Sequence, residues 1–139
     1  MLFNGVDLVE ISRIERAVTR WGDRFLQRVF TPAERAACQN RMASLAARWA
    51  AKEATAKMLG VGLRGLGGSS RHTDRDAVAW TDMEITNDDR GRPLLALSGR
   101  AAARATALGL TEWAVSLSHS HDLAIASVVG IADNTVAKL

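Results

Sequence analysis

From Ser44 to Leu59 the chain holds six alanines and no glycine or proline. Alanine has the strongest helix propensity of any residue, so this stretch predicts a helix of about four turns. Gly60 ends it, and Gly62 extends a flexible exit. A second helix start is written in Thr31-Pro32-Ala33-Glu34. Thr31 is placed to cap, Pro32 suits the first helical position, and Glu34 completes a capping box. Before these, residues 2–8 read as a short strand in which Gly5 permits close backbone approach. Asp7, inside that strand, is an acid out of place in a core. Ile11, Ile14, Val18, Trp21 and Phe25 then fall on one helical stripe, and Arg13, Arg16, Arg20 and Arg24 form a second. Gly22 weakens the last turn.

Residues 63–76 are small and polar without periodicity, and read as a surface insertion. Val78 to Thr86 reads as a strand, residues 87–91 as a turn and Pro93 to Leu97 as the returning strand of a hairpin. Ser98 is placed to cap a helix through Leu108, with Gly109 as its stop. Between 112 and 118, Trp113, Val115 and Leu117 alternate with polar or small residues, a strand with one polar face. His119 to Asp122 form a turn, and Leu123 to Val129 form a closing strand apolar enough to be central. Residues 131–139 read as a loosely held tail, which leaves 1–130 as the domain. The predicted class is α+β, a mostly antiparallel sheet packed against the long helix.

Composition sets the outer bounds. At 139 residues and 47% hydrophobic, the chain suffices for one domain and not two. No apolar run reaches the roughly 18 residues of a membrane helix. No basic region precedes the first apolar residues, so no signal peptide is expected. The single Cys38 excludes an internal disulfide, and a reducing, cytoplasmic setting is the default. Fifteen of the 18 basic residues are arginine, and residues 1–60 hold ten basic against six acidic side chains. Arginine's planar fork suits carboxylates and phosphates. A nucleic-acid binder would carry more charge and more stacking aromatics than three phenylalanines, four tryptophans and no tyrosine.

On the long helix, Trp49, Glu53 and Lys57 lie four apart on one face, with Arg48 and Lys52 in the adjacent row. Glu53 and Lys57 could simply support a surface helix, an effect of ~0.2–0.5 kcal/mol. The tryptophan argues instead for a cleft, with one acid flanked by cations, an arrangement suited to phosphate and a divalent metal. Asp7 offers a second carboxylate, or serves the dipole of the helix that follows it. Two carboxylates with phosphate and water make a typical magnesium site. His119, His121 and Asp122 with His72 are a thin supply for zinc. The serines 116, 118 and 120 lack a G-x-S-x-G elbow, so a hydrolase triad is set aside.

Several segments together are similar to the small trimeric 4'-phosphopantetheinyl transferases of the holo-acyl-carrier-protein synthase type. They are Gly5-Val-Asp7-Leu-Val-Glu-Ile11, Arg24-Phe-Leu-x-Arg-Val-Phe-Thr31 with Glu34, Arg48-Trp-Ala-Ala-Lys52-Glu53-Ala-x-x-Lys57-x-x-Gly60, Gly91-Arg-Pro93 and Val115-Ser-Leu-Ser-His119-Ser120. They run in the family's order over residues 1–130. Two features depart from the pattern: Asn4 stands where a small apolar residue or glycine is expected, and the 63–76 loop is long. The resemblance implies transfer of 4'-phosphopantetheine from coenzyme A to a serine of an acyl carrier protein, in fatty acid biosynthesis. It implies Mg2+ held by Asp7 and Glu53, with Glu53 and Lys57 catalytic. It places coenzyme A on Arg48, Lys52, Lys57, His119 and Ser120, partly across a subunit boundary of a homotrimer. Arg13, Arg20 and Arg24, with Phe25 as apolar anchor, would dock the acidic carrier protein. Two other readings remain open from the residues: the same chemistry on a polyketide or peptide synthase carrier, and a non-catalytic polyanion-binding module without a magnesium requirement.

Overall fold

The alanine-rich segment forms the axis of the structure, a computed structural model that describes residues 1–64 and 75–133. Helix α4 spans Met42–Leu59 and is buried on nearly every side; every residue from Leu45 to Lys52 is covered. It ends at Gly60, whose left-handed φ of 67° suits glycine and stops the helix. Three strands lie against it. β1 (Leu2–Glu10) and β4 (Leu110–Ser120) each pair antiparallel with β5 (Leu123–Ala132), which is central as its apolar run predicts. Asp7 lies opposite Ala126, and Leu117 opposite Ala126 on the other side. Gly5, Val9, Ala124, Ala126, Val128 and Val115 are buried on the helix-facing side. A register shift between Leu110 and Glu112 bends β4 so that Leu110 and Trp113 both turn inward. Trp113 Nε1 then donates to the Leu95 carbonyl at 2.8 Å.

Among the described residues, none covers the other face of this sheet. Leu2, Val6 and Leu8 on β1 are 71%, 55% and 59% exposed. Ile125, Val129 and Ile131 stand beside them on β5 in the same rows. Two strands elsewhere, β2 (Met83–Asn87) and β3 (Pro93–Leu97), form the predicted hairpin as a separate sheet. Short helices complete the fold: α1 (Ile11–Trp21), α2 (Asp23–Val29), α3 (Pro32–Cys38) and α5 (Gly99–Ala107).

Four local expectations need correction. The apolar stripe 11–25 is not one helix: Gly22, at φ 54° and ψ −133°, separates α1 from α2. Ile11 and Ile14 are buried, whereas Trp21 is 51% exposed at the break. The strand predicted over 78–86 begins only at Met83. Trp80–Asp82 is a 3-10 turn, because Trp80 turns in to stack on Trp49 with ring centroids 4.2 Å apart. Ser98 flanks α5 without capping it by its side chain. His119 and Ser120 still belong to β4, and the turn is His121-Asp122. The 63–76 insertion and the tail lie largely outside the described residues.

The capping box at α3 forms as read, with Glu34 N donating to Thr31 Oγ1 at 3.2 Å and Thr31 N to Glu34 Oε1 at 3.0 Å. Its carboxylate does more. Glu34 Oε1 meets Lys52 Nζ at 2.7 Å, and Glu34 Oε2 accepts from Ile85 N at 3.1 Å. Lys52 spends its two remaining protons on the carbonyls of Trp80 (2.9 Å) and Met83 (2.6 Å). Both side chains are 0% exposed. Burial lowers the Lys52 pKa, opposed by the Glu34 charge beside it. Breaking a buried pair strands its partner in low dielectric. Lys52→Ala should therefore lower the unfolding free energy by about 3–5 kcal/mol in urea titrations. Lys57→Ala, removing a pair whose cation is 55% exposed, should cost about 0–1 kcal/mol.

Candidate active site

The site grows from the crossing of β1 over α4. Alternation along β1 points Gly5, Asp7 and Val9 toward the helix. Glu53 and Lys57 sit one turn apart on the face of α4 that meets this edge. Lys57 Nζ donates to Asp7 Oδ1 at 3.1 Å and to the Val6 carbonyl at 2.9 Å. Glu53 is half-buried, and its carboxyl titrates above the ordinary value of 4.5. Burial is the main cause, the negative charge of Asp7 adds to it, and Lys57 and Arg13 pull against it. Asp7, Glu53, Lys57 and Arg13 thus share one electrostatic neighbourhood. The Arg13 guanidinium stands 5.8 Å from the centre of the Trp49 ring, the same tryptophan that begins this helix face.

Two neighbouring carboxylates, one of them raised by burial and then by the other's charge, are a donor set that fits a hard divalent cation. No group of three or more His, Cys, Asp or Glu side chains that could hold a metal exists among the described residues. A cation here would complete its shell with phosphate oxygens and water, which suits Mg2+ better than a fully protein-ligated ion.

Arg48 borders the site from the adjacent row of α4. It is buried, and its Nη2 donates to Asn87 Oδ1 at 2.9 Å. Asn87 Nδ2 in turn holds the Gly91 carbonyl at 2.8 Å, so the hairpin turn is tied to this arginine. Its Nε has no partner among the described residues, leaving a buried donor unused.

Two candidates are corrected. Lys52 does not reach any open surface: all three ammonium protons are spent inside the core, so it cannot grip coenzyme A. Phe25 is 4% exposed, stacked on Trp49 at 5.7 Å and edge-on to Phe30 at 6.2 Å. It is core and offers no anchor to a partner. The helix break at Gly22 puts Trp21 outside in its place, with the Arg20 guanidinium 4.8 Å from its ring centre. The clue was Gly22 itself, which ends α1 directly after Trp21. Arg13, Arg20 and Arg24 are all exposed on α1 and α2. His119 and Ser120 are exposed at the end of β4. Strand alternation sets His119 on the α4 side and Ser120 on the outer, apolar side, opposite Leu123. Within one protomer, Ser120 therefore does not join Asp7 and Glu53.

The raised carboxyl has a measurable consequence. Between 4.5 and its folded value, Glu53 holds a proton that the unfolded chain has lost. Stability therefore falls as pH rises through that window, and the ionised group remains a cost above it. Without metal at alkaline pH, Glu53→Gln should raise Tm in scanning calorimetry. The gain should vanish once the pH drops below the ordinary carboxylate range.

The model of the 4'-phosphopantetheinyl transferase superfamily matches residues 4–126. A holo-[acyl-carrier-protein] synthase of Herpetosiphon aurantiacus is 57% identical over 131 residues, covering 94% of this chain and 99% of that one. Among solved structures, the Helicobacter pylori holo-[acyl-carrier-protein] synthase in complex with coenzyme A superposes with TM-score 0.75 at 30% identity. That match covers 92% of this chain and 99% of the other. An ACPS–CoA complex from Chronobacterium ammoniagenes gives TM-score 0.78 at 34% identity, over 96% and 99% of the two chains. With the family model matching residues 4–126 and a relative 57% identical over 94% of its length, this chain belongs to the 4'-phosphopantetheinyl transferase superfamily.

Proposed function

We propose that the protein transfers 4'-phosphopantetheine from coenzyme A to a serine of an apo-acyl carrier protein, with Mg2+ held between Asp7 and Glu53. The pathway served is fatty acid biosynthesis, in the cytoplasm. The observation that carries the reading is the clustering of Asp7, Glu53 and Lys57 where β1 crosses α4. It explains why the chain shows no nucleophile of its own: the nucleophile is the carrier's serine. The serine oxygen bonds to the pantetheine-side phosphorus while the bond from that phosphorus to the bridging oxygen breaks. The bridging oxygen leaves with adenosine 3',5'-bisphosphate. Glu53, standing beside the proposed cation, takes the serine proton. Lys57, half exposed, keeps a free proton direction for the pyrophosphate and stabilises charge as it develops. Mg2+, when bound, supplies charge neutralisation and orientation of the reacting phosphoryl group. Following the family pattern, Arg48 and His119 serve the remaining phosphates of the nucleotide.

The working form is a homotrimer. The exposed rows of Leu2, Val6 and Leu8 beside Ile125, Val129 and Ile131 support this reading, because an apolar face of that kind marks an association surface. Ser120 stands on the same face, which places it to serve a neighbour's site rather than its own. Sedimentation velocity should give the mass of three 15.0 kDa chains.

Arg13, Arg20 and Arg24, with Trp21 as the apolar contact, form the surface for the acidic carrier. Complementary charge there speeds encounter and sets register. Arg13→Glu and Trp21→Ala should each raise KM for the carrier protein far more than KM for coenzyme A; equal effects on both would refute a docking role. The function itself is tested by transfer of labelled pantetheine from coenzyme A to a carrier protein. Transfer is expected, should stop on adding a chelator and return with Mg2+, and should be lost in Asp7→Ala. Transfer indifferent to chelation would remove the metal from the scheme.

A further inference from the structure

We infer that Gly5 is a positioning residue for the carboxylate pair: the absence of a side chain there sets how closely β1 approaches α4. It thereby sets whether Asp7 and Glu53 can reach one cation together. The inference rests on the reading of Asp7 and Glu53 as a cation site.

A Cβ built on Gly5 would overlap the Ala54 carbonyl oxygen, and would stand 2.9 Å from both the Ala54 carbonyl carbon and the Met58 backbone nitrogen. These are backbone atoms of a long, buried helix and cannot swing aside. Strand and helix are therefore in backbone contact at this one point. The residues flanking the contact are those of the site. Asp7 is the next helix-facing residue along β1, while Glu53 and Lys57 immediately precede Ala54 and Met58 on α4. The facing side chains of the sheet are small as well: Ala126 lies opposite Asp7, and Ala124 is fully buried nearby. Aspartate is a short ligand. It meets Lys57 Nζ at 3.1 Å, two residues along the strand from this contact.

Gly130 on β5 supplies the comparison. A Cβ there would meet Leu110 Cδ2 at 2.8 Å and Met58 Sδ at 2.9 Å. Both are ends of flexible side chains that can shift, and neither belongs to the site. A general packing role predicts similar behaviour at both glycines. A positioning role predicts that only Gly5 governs the cation.

Mn2+, which like Mg2+ accepts octahedral oxygen ligands, is titrated by electron paramagnetic resonance into the protein with coenzyme A present and no carrier protein. Gly5→Ala should weaken Mn2+ binding by about 10- to 100-fold, the range seen when groups that orient metal ligands are lost. Gly130→Ala should bind as the wild type does. Lengthening the ligand should act with opposite signs: Asp7→Glu weakens binding in the wild-type background and recovers it in Gly5→Ala. Wild-type affinity in Gly5→Ala, or an equal loss in both glycine variants, overturns the inference while leaving the cation site standing. If the wild type itself takes up no Mn2+, the cation site fails and the inference with it. Should circular dichroism show Gly5→Ala unfolded, the Asp7→Glu single variant decides: weaker binding supports the spacing, unchanged binding overturns it.

Discussion

The fold is organised by a buried ion pair. Lys52 and Glu34 meet at 2.7 Å with no exposure of either side chain. An ion pair in low dielectric is held only if its remaining hydrogen-bonding capacity is met. Here the backbone meets it, through the carbonyls of Trp80 and Met83 and the amide of Ile85. The pair thereby joins three segments distant in sequence: the start of α3, the middle of α4 and the entry into β2. It also fixes the tight turn at Trp80, which closes an aromatic stack running from Phe25 through Trp49. Arg48, one turn before Lys52, continues the join to the hairpin through Asn87. The hairpin is attached to the helix by polar anchors as much as by its apolar face.

This division of labour gives α4 two working sides. Its Arg48–Lys52 row turns to the hairpin and holds the protein together. Its Glu53–Lys57 row turns to β1 and α1, where the proposed site lies. The functional side bears a cost that the structural side does not: Glu53 is half-buried beside another carboxylate, and Lys57 and Arg13 relieve it only in part. A site poised to receive a cation and a pyrophosphate has this character, because groups that attract the ligand repel each other without it.

Much of the architecture was legible in the sequence. The capping box at Thr31, the end of α4 at Gly60, the hairpin around Gly91 and the central place of the last strand all follow from local chemistry or hydrophobic periodicity. The misreadings share a cause. Gly22 reads as a weak point in one helix and is a break: its backbone leaves the helical region, and Phe25 beyond it packs on Trp49. Trp80 read as strand by composition, yet it turns inward to complete the stack. Lys52 stood in a cation-rich motif and looked available to a ligand; only the position of Glu34, eighteen residues earlier, shows that it is not.

The sequence by itself determined which residues could do chemistry and on which elements they ride, since spacing along a helix or strand sets which side chains share a face. It also determined the class of that chemistry, through the family pattern of an early aspartate and a lysine–glutamate helix. Only the tertiary structure decided which members of the motif face a ligand and which face the core. Burial and hydrogen-bond partners depend on contacts between segments far apart in the chain, and no local pattern encodes them. Lys52 and Phe25 went inward, and Trp21 went outward. Asp7 meets Lys57, fifty residues away, beside the point where a glycine lets two backbones touch.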